Sequence, residues 1–374
     1  MKKKSPQVKD SLPVDNSANT SAKLPEKNNS ITINQRADVI REPEKKVVQV
    51  PPPVTAISNN LAQIYNVTNS PQLNKSKQLN ITINKLITYA KKHKLPTEKL
   101  SITLIDLKNN TISGHKQYQP RYPASVVKMF WMVALNAQIK AGIIPWDGEV
   151  NTDLNKMMLK SDNNAGSRIL NRITGTKSSR KKLSNTEFQE WKKRREKINT
   201  FFEQADYKNI NINQKTFPIT DLNITSPVGP DLQIRGDRNN PERNKITTYQ
   251  AARLMYEIVS NQAVAPEYGE PMLGLLKRDI HPEVWRKMPP NPIDFNPVES
   301  FFGQSLSPDK VVFFASKAGW TSFSRQEVAF VVTKNGKTRY ILSIFGDHPA
   351  YAKSKKVFPD MSRLVFNQMT KTTK

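Results

Sequence analysis

Three short strings in this chain could do chemistry together: Ser125-Val126-Val127-Lys128, Ser161-Asp162-Asn163 and Lys317-Ala318-Gly319. A serine hydroxyl is a weak nucleophile near neutral pH. It needs a base beside it and donors for the oxyanion that forms on attack. On a helix, residues three apart share a face, which sets Lys128 next to Ser125. An amine serves as that base only when burial or a second cation lowers its pKa. The apolar residues around Lys128 offer the burial, and Lys317 is the candidate second cation. Ser125 would open its helix, where a free backbone N–H can serve as one oxyanion donor. Ser161 adds a hydroxyl for a second proton relay, and Lys317 a cationic strand edge.

The elements that must hold these groups can be read from periodicity. Ile81, Ile83, Leu86, Ile87 and Ala90 predict an amphipathic helix ending near His93. Residues 100–107 and 111–114 predict two strands joined by a turn at Lys108-Asn109-Asn110. A helix from about Ala124 carries Val126, Val127, Met129, Phe130, Trp131, Val133 and Leu135, apolar on several faces and therefore central. Helical segments 154–159 and 165–173 flank the second string, and the basic stretch 176–208 predicts a helical insertion with a solvated face. A loop rich in Pro, Asn and Gly spans about residues 209–244, and Thr247 is placed to cap a helix running to Ile258. Strands follow at 311–317, 327–333 and 339–345, the last two joined by an Asn335-Gly336 hairpin, and a helix over 360–369 ends the chain. The fold class expected is α+β: an antiparallel five-stranded sheet flanked by helices, with an all-helical subdomain at about residues 125–262 inserted between strands.

Ser-x-x-Lys also occurs at Ser113, Ser178, Ser179 and Ser307, all in polar surroundings, so the pattern alone selects nothing. Only Ser125 follows a Tyr-Pro-Ala lead-in and opens a long apolar helix. With the other two strings in order, the set resembles the penicillin-recognising serine hydrolases, most closely the class A β-lactamases, over about residues 75–370. Thr247-Thr248 after a long loop and Ser324-Arg325 on the strand after the third string fit the same family. The resemblance implies Ser125 as the acylated nucleophile and Lys128 as its base or relay. Ser161 would protonate the leaving nitrogen, and Asn163 would bind the substrate's side-chain amide. Lys317 would steer the substrate carboxylate and tune Ser161, with Gly319 behind it on the strand. The N–H groups of Ser125 and Trp320 would form the oxyanion hole. Arg325 would be a second carboxylate anchor.

The chain also departs from that family. Ala318 replaces a usual Thr or Ser, and Trp320 a small residue. The Glu-x-x-Leu-Asn string that activates the deacylating water is missing: Leu222-Asn223 would leave Ile219 at the Glu position. Asp221, Asp231, Asp237 and Glu242 are the substitute acids in reach along the sequence. The expected activity is opening of β-lactam amides through a Ser125 acyl-enzyme. The alternative is a D,D-peptidase or penicillin-binding protein acting on D-Ala-D-Ala-like wall peptides with slow or absent β-lactam turnover.

Composition bounds the rest. The chain has 374 residues, no Cys, and 58 Lys plus Arg against 32 Asp plus Glu, a net charge of +26. Disulfides and thiolate metal sites are excluded, and no metal or cofactor is expected. Such a charge favours an anionic partner, for which a cell-wall polymer is the candidate. Nucleic acid is not favoured, because aromatic content is 8% and the positive charges are scattered. Residues 1–70, rich in Asn, Lys, Ser and Pro, are expected to be disordered, and 71–374 to form the hydrolase domain, acting as a monomer. Met1-Lys2-Lys3-Lys4 is basic but no apolar segment follows it, and no run of about 18 apolar residues occurs. The sequence thus displays neither signal peptide nor membrane span, and an extracytoplasmic location rests on the resemblance.

Overall fold

The computed structural model describes residues 65–288 and 295–371. The segment expected to be disordered lies outside the described residues as far as residue 64. In chain order, the first elements are β1 (Asn74–Lys75), α1 (Lys77–Lys92), β2 (Leu100–Asp106) and β3 (Thr111–His115). A 3-10 turn at Ala124–Val126 leads into α2 (Val127–Lys140), and α3 (Gly148–Leu159), α4 (Asn163–Thr174), α5 (Asn185–Glu203), α6 (Gly229–Gln233), α7 (Thr248–Val259), α8 (Pro266–Leu276) and α9 (Pro282–Trp285) follow. The chain then returns to strands β4 (Val311–Thr321), β5 (Ser324–Thr333) and β6 (Arg339–Gly346), and closes with α10 (Pro349–Lys353) and α11 (Val357–Met369). Among the described residues no helix is long and apolar enough to cross a membrane.

The fold is α+β, but the sheet is not the expected antiparallel five-stranded one. It has six strands in the order β1-β3-β2-β6-β5-β4 and is mixed, because β1 runs parallel to β3. Two polar residues carry no readable alternation, so β1 is made by its neighbours: Asn74 N–H donates to Asn110 O and Ser76 N–H to Ile112 O. The other pairings are antiparallel. β4 and β5 are longer than their apolar cores. Gly319 pairs with Gln326 and Trp320 with Arg325, and a Thr321–Ser324 hydroxyl contact of 3.0 Å closes the turn. The third string therefore lies inside a strand. The β5–β6 hairpin turns at Gly336, whose φ of +67° suits glycine, and Asn335 Oδ1 accepts the Lys337 N–H at 3.0 Å.

Two apolar layers sandwich the sheet. On one side α1 and α11 pack Leu86, Leu104, Leu342, Ile344, Phe358 and Met361 together. On the other, α2 is the axle: every residue except Gln138 and Lys140 is buried. Around it lie residues of α3, α4, α5, α7 and α8, including Leu154, Leu170, Phe202, Leu254 and Leu275. Such all-round burial fits a helix with no polar face. Capping boxes start α5 (Ser184 with Glu187) and α7 (Thr247 with Gln250), the latter at the predicted cap. The basic insertion is less superficial than its composition implied. Trp191, Arg195, Ile198, Phe201 and Phe202 are buried on one side of α5, leaving the solvated face to its other cations.

Candidate active site

The site forms where the start of α2, the start of α4 and the middle of β4 meet. Ser125 sits in the 3-10 turn, and Lys128 lies in the first turn of α2. Lys128 Nζ donates to Ser125 Oγ at 3.2 Å, to Asn163 Oδ1 at 2.7 Å and to the Ser161 carbonyl. Lys317 Nζ donates to Ser161 Oγ at 2.9 Å and to Ala318 O at 3.0 Å. Ser161 thus stands between the two amines, its carbonyl toward one and its hydroxyl toward the other. Five of the expected residues, Ser125, Lys128, Ser161, Asn163 and Lys317, make one continuous polar chain.

Local backbone geometry sets this up. Ser161 has φ of +56°, and Asp162 accepts the Ala165 N–H at 2.6 Å to start α4. Ala124, just before the candidate nucleophile, has φ of +46°. Non-glycine residues held there cost about 1–3 kcal/mol each. Both of these positions adjoin or carry the reacting groups. Gly319 is required by a close approach: a Cβ there would lie 2.8 Å from Ser125 N and 2.9 Å from Pro123 O. Gly166 on α4 leaves room for the Lys128 stem, since a Cβ would sit 3.2 Å from its Cε. The Ser125 amide has no backbone acceptor among the described residues, which keeps it available to a ligand oxygen.

The electrostatics suit proton transfer. Burial draws the Lys128 amine down from 10.5 to about 7, only partly opposed by the Asp162 carboxylate. Burial also pulls Lys317 well below the ordinary ammonium range, helped by the charges of Lys128 and Arg278 and opposed by Glu327. An amine that exchanges its proton near neutrality is what a serine base requires.

Two expected residues also use their side chains to brace the neighbouring backbone. Arg325 is 5% exposed, and its guanidinium donates to three backbone carbonyls: Tyr351 at 3.2 Å, Ser300 at 3.0 Å and Ala352 at 2.8 Å. It also lies 4.8 Å over the Phe301 ring. Three of its five N–H donors hold α10 and the 300–301 segment to β5, which makes it a brace between them. Trp320 is 50% exposed and donates its indole N–H to Ala352 O at 3.0 Å.

The substitute acids are all occupied elsewhere. Asp221 pairs with Arg168 at 2.7 Å, Glu242 lies 3.6 Å from Lys245, and Asp237 accepts the Asn239 N–H at 2.9 Å. Asp231 is clamped between buried Arg195 (3.1 Å) and Lys215 (3.0 Å). None hydrogen-bonds to Ser125 or Lys128.

Glu327 is a group that sequence reasoning missed. It is fully buried, stands across β4–β5 from Ala318, and accepts the Phe302 N–H at 2.7 Å. Burial pushes its carboxyl up to about 8. Arg325-Gln326-Glu327 is a polar run, and Glu327 opens the strand predicted over 327–333, so it reads as a rim residue. All three in fact lie inside the sheet.

The model of the β-lactamase enzyme family matches residues 149–369, a span that includes Ser161, Asn163 and Lys317 and begins after Ser125. The chain belongs to that family, within the penicillin-recognising serine hydrolases. Among solved structures, a mutant PBP-A captured as an acyl-enzyme complex with penicillin G is 14% identical, with a TM-score of 0.52 over 77% of this chain and 96% of that one. The β-lactamase of Sphaerobacter thermophilus is also 14% identical, with a TM-score of 0.53 over 77% of this chain and 97% of its own. A variant of the extended-spectrum β-lactamase TLA-1 is 13% identical, with a TM-score of 0.52 over 78% and 99%. At such identities the likeness establishes the fold. No curated protein matches the chain significantly.

Proposed function

We propose that this chain is a serine hydrolase that opens β-lactam amide bonds through a Ser125 acyl-enzyme. The observation that carries the reading is the polar chain Ser125–Lys128–Ser161–Lys317, with one buried amine poised near neutrality. Neutral Lys128 takes the Ser125 proton as Oγ bonds to the lactam carbonyl carbon. The oxyanion is received by the amides of Ser125 and Trp320. The C–N bond then breaks as the Ser161 hydroxyl gives its proton to the leaving nitrogen, and Ser161 takes one proton back from Lys317, the amine bonded to its hydroxyl. Lys317 attracts the substrate carboxylate, and Asn163 receives the side-chain amide. Neither transfer draws on a metal or cofactor.

A second reading is supported by the four occupied acids. With no carboxylate bonded at Ser125 or Lys128 among the described residues, water activation is weak and the acyl-enzyme persists. That behaviour belongs to a D,D-peptidase or penicillin-binding protein acting on wall peptides. The test is intact-mass spectrometry of the full chain with benzylpenicillin, followed over time. One added penicillin on the wild type and none on Ser125→Ala is the expected result. Fast loss of the adduct with turnover of a chromogenic cephalosporin marks a β-lactamase. A lasting adduct with D-Ala release from a D-Ala-D-Ala peptide marks a peptidase. No adduct on the wild type refutes both.

A further inference from the structure

A basic cleft lies at the far end of α2 from Ser125, about 20 Å along the helix at 1.5 Å per residue. It encloses about 600 Å³ between the last turns of α2 and α4 and the flank of α5. Lys193, Arg194 and Lys197 of α5 line it with Arg172 of α4, and no acid is among the lining residues. Lys193 and Lys197 repeat with Thr200 and Gln204 at helical spacing, so they form one stripe. Lys193, Arg194 and Lys197 are exposed and have no ion-pair partner among the described residues. The neighbouring Lys192 pairs with Glu196 at 3.6 Å, and Arg172 is shared with Asp147 and Glu149 at 3.5 and 3.1 Å. Gln138 Nε2 donates to Ile173 O at 2.9 Å and covers one carbonyl at the negative end of α4.

Three unpaired cations on one helix repel one another. We propose that this cleft is a docking site for a linear, base-free phosphodiester polyanion, separate from the Ser125 site. Guanidinium and ammonium groups spaced along one face match successive phosphates, and the planar Arg194 fork suits a phosphate oxygen pair. Nucleic acid is a poorer occupant. The cleft's one aromatic, Phe201, is 6% exposed and offers no face for base stacking. A lipid surface is also a poorer occupant, because Ile143 is the one large apolar side chain exposed in the lining. The occupant argued for is a base-free polymer such as poly(glycerol phosphate), which would hold the enzyme on a surface while Ser125 works elsewhere.

The test titrates full-length chain with labelled poly(glycerol phosphate) at about 0.05 to 0.2 M salt. The cleft triple variant Lys193→Glu, Arg194→Glu, Lys197→Glu is compared with an equally charged control at the β5–β6 turn and the adjoining start of β4, Lys310→Glu, Lys334→Glu, Lys337→Glu. The cleft variant is expected to bind about ten-fold or more weakly, with the salt slope reduced by about 2, as three lost phosphate contacts require. The control keeps most of its affinity, and all forms keep the wild-type rate of penicillin acylation. A triple Gln variant of the cleft serves if charge reversal lowers the melting temperature. Wild-type affinity in either folded cleft variant overturns the proposal. So does equal competition by polyglutamate or by a single-stranded oligonucleotide of matched charge. Acylation by penicillin is read separately, so failure of this site leaves the Ser125 reading standing, and the converse holds.

Discussion

If Lys128 is the base for Ser125, the acylation rate must follow the fraction of Lys128 that is neutral. An ordinary lysine at pH 7 is neutral about once in 3000, whereas an amine drawn down to about 7 is neutral half the time. The difference is about 5 kcal/mol between the two protonation states, almost all from taking the charge out of water. At saturating benzylpenicillin the first-order acylation rate should rise about ten-fold per pH unit below 7 and flatten above it. At pH 5 it should be about 1% of the plateau. Lys128→Arg keeps its proton throughout and should lose about 10³-fold or more at pH 8, with no recovery by pH 9. Stability gives an independent reading with the sign fixed by linkage. Above pH 7 the folded amine is neutral while the unfolded one stays protonated up to 10.5, so unfolding takes up a proton and stability rises with pH across that window. Between pH 7 and 9 the wild type should gain about 2–3 kcal/mol relative to Lys128→Met in urea melts. The assays are rapid quench with intact-mass detection and equilibrium denaturation. An acylation rate flat from pH 5 to 9, or one that starts to climb only near pH 10, refutes the assignment of Lys128 as base.

Other outcomes follow from the same geometry. Gly319→Ala places a Cβ against the Ser125 amide and the Pro123 carbonyl, backbone atoms that cannot swing aside, so acylation should fall about 10²-fold or more and the melting temperature should fall with it. Arg325→Lys strips two of three guanidinium–carbonyl contacts at α10 and residue 300. It should cost about 1–3 kcal/mol in a thermal or urea melt without changing the preference for carboxylate-bearing over carboxamide substrates, whereas a selective loss of the carboxylate substrates would mark Arg325 as an anchor. Tyr65→Phe removes the hydroxyl that donates to buried Glu257 at 2.5 Å, beside Tyr207 and Arg253. A loss of about 1–3 kcal/mol is expected by calorimetry, and an unchanged melt would mean that the segment at Tyr65 is not docked in solution.

Short-range pattern determined a good deal here. The i,i+3 spacing of Ser125 and Lys128, the apolar run that makes α2 central, the Asn335-Gly336 turn and the Thr247 cap are all local, because helices and turns are specified by residues within a few positions of one another. The α+β class followed from strands at the two ends of the helical stretch. Tertiary structure decided the rest. Ser161 meets Lys128 from 33 residues away and Lys317 from 156, and nothing nearby in the chain specifies either pairing. The two-residue β1 exists through its neighbours, so it made the sheet mixed and six-stranded. The bracing part of Arg325 rests on three carbonyls that packing brought to it. Most of all, the identity of Lys128 came from the sequence, but its readiness to accept a proton came from the fold. Desolvation depends on which surfaces close over a charge, and that is settled by how distant segments pack.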